Sequence, residues 1–175
     1  MKTTAPSILM IISLVCLALL PKAQAITPSP DGCYPNFTTA EGCDALSVLT
    51  TGAGNTGLGW RSLFSNSSGN FNTCVVAGAL VLNNTDSNTA VVAATLLLNT
   101  PGGLNTGIGT AALVHNDSGT SNTAVGAFAL SSNTTADFDA AVGANALLNN
   151  VDGSDNAAIG DDALKLNVSG SDNVV

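Results

Sequence analysis

Apolar and polar positions along most of this chain recur at one spacing. The clearest copy is Asn122-Thr123-Ala124-Val125-Gly126-Ala127-Phe128-Ala129-Leu130-Ser131-Ser132-Asn133, and the pattern opens again at Asn55, Asn72, Asn88, Asn105, Asp139 and Asn156. The step is 17 residues, except for 16 between Asn72 and Asn88. A degenerate first copy opens at Thr38 and keeps Thr39, Ala40, Gly42, Ala45, Leu46 and Gly52, which makes eight copies. A fixed period of this size indicates a repeat architecture, in which a unit buries its apolar side only against its neighbours. A unit this short buries too little by itself to offset the entropy of ordering it.

Each column of the repeat carries a structural expectation. The ninth position is Leu in every copy: Leu46, Leu63, Leu80, Leu96, Leu113, Leu130, Leu147 and Leu164. An unbroken column of one bulky aliphatic residue predicts a core ladder. The fourth position is Leu58, Val75, Val91, Ile108, Val125, Val142 and Ile159, with Glu41 in the first copy, and predicts a second inward ladder. The fifth is Gly except at Val76 and Val92, which predicts a corner of positive φ or a close backbone approach. The twelfth is Asn66, Asn83, Asn99, Asn116, Asn133, Asn150 and Asn167, with Leu49 in the first copy. Asn tolerates left-handed turns and bonds its own backbone, and stacked Asn side chains can bond one another along an axis.

These columns predict an all-β fold, a parallel β-solenoid of eight coils of about 17 residues. Asn-Thr-Ala-Val-Gly reads as a strand paired in parallel with its equivalent one coil away, about 4.8 Å distant, giving a rod roughly 40 Å long. Strand or a short helical turn both fit the following x-x-Ala-Leu-x-x-Asn segment. A helix-pair array is the competing architecture, but it needs units of about 33 residues or more. By parity, position three (Ala40, Gly57, Cys74, Ala90, Gly107, Ala124, Ala141, Ala158) is expected to face outward. Its small residues would make a flat packing surface, with Cys74, Ala90, Ala124, Ala141 and Ala158 as candidate subunit-interface residues and Cys74 as a candidate cross-link. The threonines Thr39, Thr56, Thr73, Thr89, Thr106 and Thr123 share parity with position four and are expected inside. On an exposed flat face they would instead suit ice or another crystalline surface.

Ahead of the repeats, Lys2, the apolar stretch Ile8 to Leu20 and the small-residue site Ala23-Gln24-Ala25 read as a signal peptide over residues 1–25. That stretch is shorter than the roughly 20 residues a membrane-spanning helix needs. Residues 26–37 form a cap segment and residues 38–175 the repeat domain. Export implies an oxidising compartment, where Cys33 and Cys43 are a candidate disulfide. The chain stops three residues into a ninth copy, at Val175, which suggests a truncated gene model or one piece of a longer protein.

Composition fits thin layers better than a thick core. Hydrophobic residues make up 45% and aromatic residues 4%, with 18 glycines. A net charge of −8 with 9% charged residues argues against nucleic acid, which selects a basic footprint.

The unit Asn-Thr-Ala-Val-Gly-x-x-Ala-Leu-x-x-Asn resembles the head repeats of trimeric autotransporter adhesins, the YadA-like head family, over Thr38 to the C-terminus. The resemblance implies a parallel β-roll, a homo-oligomer that is a trimer, display on a cell surface, and attachment to extracellular matrix or a cell-surface ligand. The unit is longer than is usual there, and no coiled-coil stalk or membrane barrel follows. The expected function is therefore a secreted or cell-surface adhesin-like module. A structural spacer in a longer extracellular fibre and an ice- or crystal-binding solenoid are the alternatives.

Catalysis needs a base, a nucleophile and a stabilised charge in one cleft, and no such set emerges. The sole histidine, His115, falls at a variable position and reads as a solvated loop residue. Asp137, Asp139, Asp152, Asp155, Asp161 and Asp162 read as a solvated rim, with calcium the sharper alternative. No enzyme activity, cofactor or metal is expected. Trp60, Phe64, Phe71, Phe128 and Phe138 fall at variable positions, as adhesive contacts or as packing between coils. The sequons at Asn36, Asn66, Asn83, Asn116, Asn133 and Asn167 read as by-products of the Asn-rich repeat.

Overall fold

The structure, a computed structural model, describes residues 35–175. After a 3-10 turn at Pro35–Phe37, it contains eight strands of three residues each: β1 (Thr39–Glu41), β2 (Thr56–Leu58), β3 (Thr73–Val75), β4 (Thr89–Val91), β5 (Thr106–Ile108), β6 (Thr123–Val125), β7 (Ala140–Val142) and β8 (Ala157–Ile159). They form one parallel sheet in sequence order, each strand pairing with the next. The register aligns like with like, Thr106 with Thr123 and Ile108 with Val125. The shortened third coil keeps it, with Cys74 opposite Ala90 and Val75 opposite Val91. One residue is absorbed in the turn after Asn84, where Thr85 takes the place of the glycine found in most other coils. The chain is a β-solenoid, as its periodicity predicts. The expected signal peptide over residues 1–25, Cys33 and most of the expected cap segment lie outside the described residues.

The second half of each coil is neither strand nor helix. It is a run of tight turns, in which position eight bonds back to position five (Ala112 N–H to Gly109 O, 3.1 Å) and position twelve to position nine (Asn116 N–H to Leu113 O, 3.1 Å). The same segment bonds across to the next coil, Leu113 N–H to the Ala129 carbonyl at 3.1 Å. Such turns need left-handed residues. Position five has φ from 98° at Val92 to 147° at Gly109, and positions seven, nine and seventeen lie near 50–70° in every coil. The buried Leu column is among them, from φ 48° at Leu164 to 52° at Leu113. A left-handed branched side chain is uncommon, and here the stack holds eight of them.

The core is a narrow seam. Leu63, Leu80, Leu96, Leu113, Leu130 and Leu147 are fully buried, with Leu46 nearly so and Leu164 partly so. Opposite them lie Ala40, Cys74, Ala90, Ala124, Ala141 and Ala158, all buried. This reverses the orientation that parity suggested. Cys74, Ala90, Ala124, Ala141 and Ala158 are core residues and form no outer interface. The cause is coil thickness: a Cβ at Gly107 would meet Thr95 Cγ2 at 2.3 Å, and one at Gly57 would meet Leu46 at 3.2 Å. With a Leu from the far wall already filling the seam, the strand has room inside for Gly, Ala or Cys only.

Asparagine lines the rest of the interior. The position-twelve ladder is buried and bonded along the axis, with Asn116 Nδ2 donating to Asn99 Oδ1 at 2.7 Å and Asn133 Nδ2 to Asn116 Oδ1 at 2.7 Å. None of these asparagines has positive φ, so their role is the ladder and not a left-handed turn. A second ladder runs through position one. Asn105 N–H donates to Asn88 Oδ1 and Asn122 N–H to Asn105 Oδ1, both at 2.9 Å. The two ladders converge on one carbonyl per coil: Gly119 O accepts from Asn105 Nδ2 at 2.8 Å and from Asn116 Nδ2 at 2.9 Å. Polar side chains survive in this interior because nearly all of their amide groups find partners, Asn66 Oδ1 and Asn133 Oδ1 being exceptions.

Candidate functional site

With position three turned inward, positions two and four turn outward together. The sheet therefore presents two parallel ranks along its length. One is Thr39, Thr56, Thr73, Thr89, Thr106 and Thr123, continued by Ala140 and Ala157. The other is Leu58, Val75, Val91, Ile108, Val125, Val142 and Ile159, continued toward the N-terminus by Glu41. All are half-buried or exposed, and Ile159 reaches 70% exposure. The second inward ladder expected from the Val/Ile column is thus an exposed rank, and the threonines expected inside accompany it. Glu41 is the only ionisable residue among these sixteen positions. Because the coils stack in register, the face repeats the same pair of positions coil after coil.

Two features of the sequence foretold this orientation. Glu41 occupies position four in the first copy, and an unpaired carboxylate is not buried without cost. Position three is never larger than Cys, as a crowded interior demands. Bulk was the misleading signal, because it favours burying Val over Ala.

The remaining candidates separate cleanly. Cys74 is buried; its thiol donates to Ala79 O at 3.2 Å, and burial pushes its pKa up to about 12. A thiol so held is inert, so Cys74 does not cross-link subunits. Cys43 is exposed, and its candidate partner Cys33 lies outside the described residues. His115 is exposed, with Nδ1 2.8 Å from Ser131 O. Asp152, Asp155, Asp161 and Asp162 are exposed, as a solvated rim requires. Asp162 is held below the usual carboxylate range by Lys165, 3.0 Å away, and by Asn145. Among the described residues no group of three His, Cys, Asp or Glu converges on a point.

Asp139 departs from the expected rim. It occupies position one, where every other coil but the first, with Thr38, places Asn, and is buried. Its Oδ1 accepts from Asn156 N–H at 2.8 Å and from Asn156 Nδ2 at 3.1 Å, and its Oδ2 accepts from Asn150 Nδ2 at 2.8 Å. Burial raises its pKa to about 6 against those hydrogen bonds, with Asp155 and Asp137 adding to the rise. Asn150 is diverted from its own ladder by this contact, and Asn133 Oδ1 is left buried without a partner.

The sequons also sort by burial. Asn66, Asn83, Asn116 and Asn133 are fully buried ladder residues and inaccessible to modification in the folded chain, whereas Asn36 is exposed. Of the aromatic residues, Trp60, Phe71, Phe128 and Phe138 are exposed and Phe64 is half-buried.

Fold and face together define a parallel β-solenoid with a tightly bonded polar interior and an apolar, threonine-edged outer sheet. Compared with protein-family models, curated proteins and solved structures, the chain matches none.

Proposed function

We propose that this chain is a non-catalytic, self-associating rod that works as an adhesin-like extracellular module, with the outer strand face as the surface through which copies join. The observation that carries the proposal is the Leu58 to Ile159 rank, seven aliphatic side chains on one face of the sheet with no charge among them. Apolar patches of such extent on soluble chains mark interaction sites. A repetitive face also suits association with a copy, because every coil then contributes the same contact. The resemblance to YadA-like heads supports a trimer, and it is the sole support for attachment to matrix or cells and for an extracellular location.

The test is the mass in solution of the chain from Ile26, measured by light scattering after size exclusion. A stable oligomer is expected, falling to monomer in a Val91→Lys, Val125→Lys double variant that keeps its β-sheet circular dichroism. A monomeric native chain would sink the proposal.

Exposure of the threonine rank favours a second reading, binding of ice or another ordered solid. Thr and Val side chains at a fixed interstrand spacing form a regular array, which a crystal surface could match. Thermal hysteresis with ice shaping in a monomeric chain would place this reading first; their absence in a monomer would dispose of it.

A further inference from the structure

Chemistry that the repeat does not require is concentrated in the second coil. Positions six and seven form the corner beyond the strand face. In other coils they hold Cys43-Asp44, Ala77-Gly78, Ala93-Ala94, Thr110-Ala111, Ala127-Phe128, Ala144-Asn145 and Asp161-Asp162. The second coil places there the only tryptophan of the chain, Trp60, and its only arginine, Arg61. Arg61 has φ 55°, a conformation that Gly or Asn adopts more readily than a long side chain. Position seven has such an angle in every coil, whether it holds Gly78, Ala111 or Phe128, so the backbone does not call for an arginine there.

The pair is nonetheless built. The Arg61 guanidinium carbon lies 4.2 Å from the Phe64 ring centroid and 5.4 Å from that of Trp60, both within cation–π range. Its Nε is buried and makes no hydrogen bond. Asp44, one coil below, comes only to 4.0 Å of it. The side chain is still 40% exposed, and Trp60 is 56% exposed. One coil above, a Cβ at Gly78 would meet nothing within 4 Å. An open shelf at Ala77-Gly78 thus adjoins an aromatic face and a cation stacked on aromatic rings. Lys165, the other Lys or Arg among the described residues, is held at 3.0 Å by Asp162, whereas Asp44 approaches Arg61 only to 4.0 Å, so Arg61 is the more loosely paired of the two cations.

We propose that Trp60, Arg61 and the Ala77-Gly78 shelf form a binding site for a carboxylate-bearing sugar, a hexuronate unit of an acidic polysaccharide. The indole face takes the apolar face of a pyranose ring, and the guanidinium takes the carboxylate, for which its planar fork is shaped. The sugar ring selects this ligand over a bare anion, since Trp60 offers a large apolar face and no charge. The site lies off the strand face, so the inference does not depend on self-association.

Trp60, the single tryptophan, supplies a local fluorescent reporter. Titration of the chain from Ile26 with tetragalacturonate is expected to change its emission saturably, whereas neutral tetragalactose is not. Arg61→Gly, which installs the residue of the third coil and relieves the left-handed backbone, is expected to keep the fold and weaken binding at least about tenfold. Trp60→Ala, read by calorimetry, should abolish the heat of binding, and Asp44→Asn, which removes a competing carboxylate, should tighten binding. No saturable change up to about 10 mM ligand would overturn the site. So would an equal response to the neutral sugar, or unaltered affinity in Arg61→Gly. An equal response to inorganic phosphate would overturn its sugar specificity.

Discussion

Asn122 and Val125 stand three residues apart in the same coil, yet the amide is fully buried and the aliphatic side chain is half-exposed. The two positions invert the usual assignment of polar and apolar residues. In a globular core the apolar side chain gains most from burial and an amide loses unless fully bonded. Here a coil is so thin that one Leu fills its interior, and the amide is the residue that can be bonded at every level. The inner region is specified by hydrogen bonds and a tight steric seam. The outer region is under no such constraint, and its aliphatic side chains stay half-exposed or exposed.

The largest test of this contrast is a matched pair of truncations. Leu113→Ala opens a cavity in the seam and should cost about 2–5 kcal/mol, as buried Leu truncations do. Val125→Ala, on the outer rank, should cost less than about 0.5 kcal/mol in a dissociated chain. Urea unfolding at a concentration where the chain is monomeric separates the two. Equal losses would mean that the outer rank is part of the core and that the inversion is wrong. If the outer rank joins copies, Val125→Ala lowers stability in the oligomer even though it spares the monomer.

Most of the scaffold could be read from the chain before any coordinates. The period, the parallel register and the Leu46 to Leu164 ladder follow from column identity alone, and so does the corner at position five. Orientation of the strand did not follow, because parity says that positions two and four share a face without saying which. The deciding facts, Glu41 in the fourth column and the uniformly small third column, concern volume and charge and not period. The left-handed Leu column was hidden, since sequence preferences alone would never place a leucine at φ near 50°. The position-one ladder was visible as a column but served only to mark the start of each repeat. Its buried role becomes evident only once Asn105 and Asn122 are seen bonding along the axis.

Asp139 breaks the inner region at one rung, and its titration gives the next largest effect. Its folded pKa of about 6 stands above the ordinary 3.8, so the folded chain binds this proton more tightly than the unfolded one. Stability from this group is therefore greatest below about pH 4 and is lost as pH rises through about 6. A difference of about 2 in pKa corresponds to roughly 3 kcal/mol. Asp139→Asn should raise stability at pH 8 by up to about that amount. It should do so by restoring an amide at position one and freeing Asn150 Nδ2 to reach the unpartnered Asn133 Oδ1. Asp155 and Asp137 lie nearby, and Asp162 contributes with the opposite sign, since its pKa is lowered. The informative quantity is thus the difference between native and variant unfolding free energies across pH 4–8. A difference that stays flat would mean that Asp139 does not carry the proton assigned to it.

The smallest effect sharpens the contrast at the corner between the two regions. Position five is Gly in the coils opening at Asn55, Asn105, Asn122, Asp139 and Asn156, but Val76 and Val92 occupy it at φ 106° and 98°. A β-branched residue at such an angle is strained by roughly 1–3 kcal/mol. Replacing it with Gly raises the entropy of the unfolded chain, which offsets about 0.4–1 kcal/mol of that relief. Val76→Gly should therefore stabilise the rod by about 1 kcal/mol, seen as a higher urea midpoint with an unchanged slope. The same change at Gly126 in reverse, Gly126→Val, should be far worse than the loss of that 1 kcal/mol. A Cβ there would meet Gly143 O at 2.3 Å, and Gly126 has φ 139°, further from ordinary side-chain angles than Val76 or Val92. A destabilised Val76→Gly would show that the valine packs more productively than its backbone angle implies, and that the corner belongs with the apolar outer face.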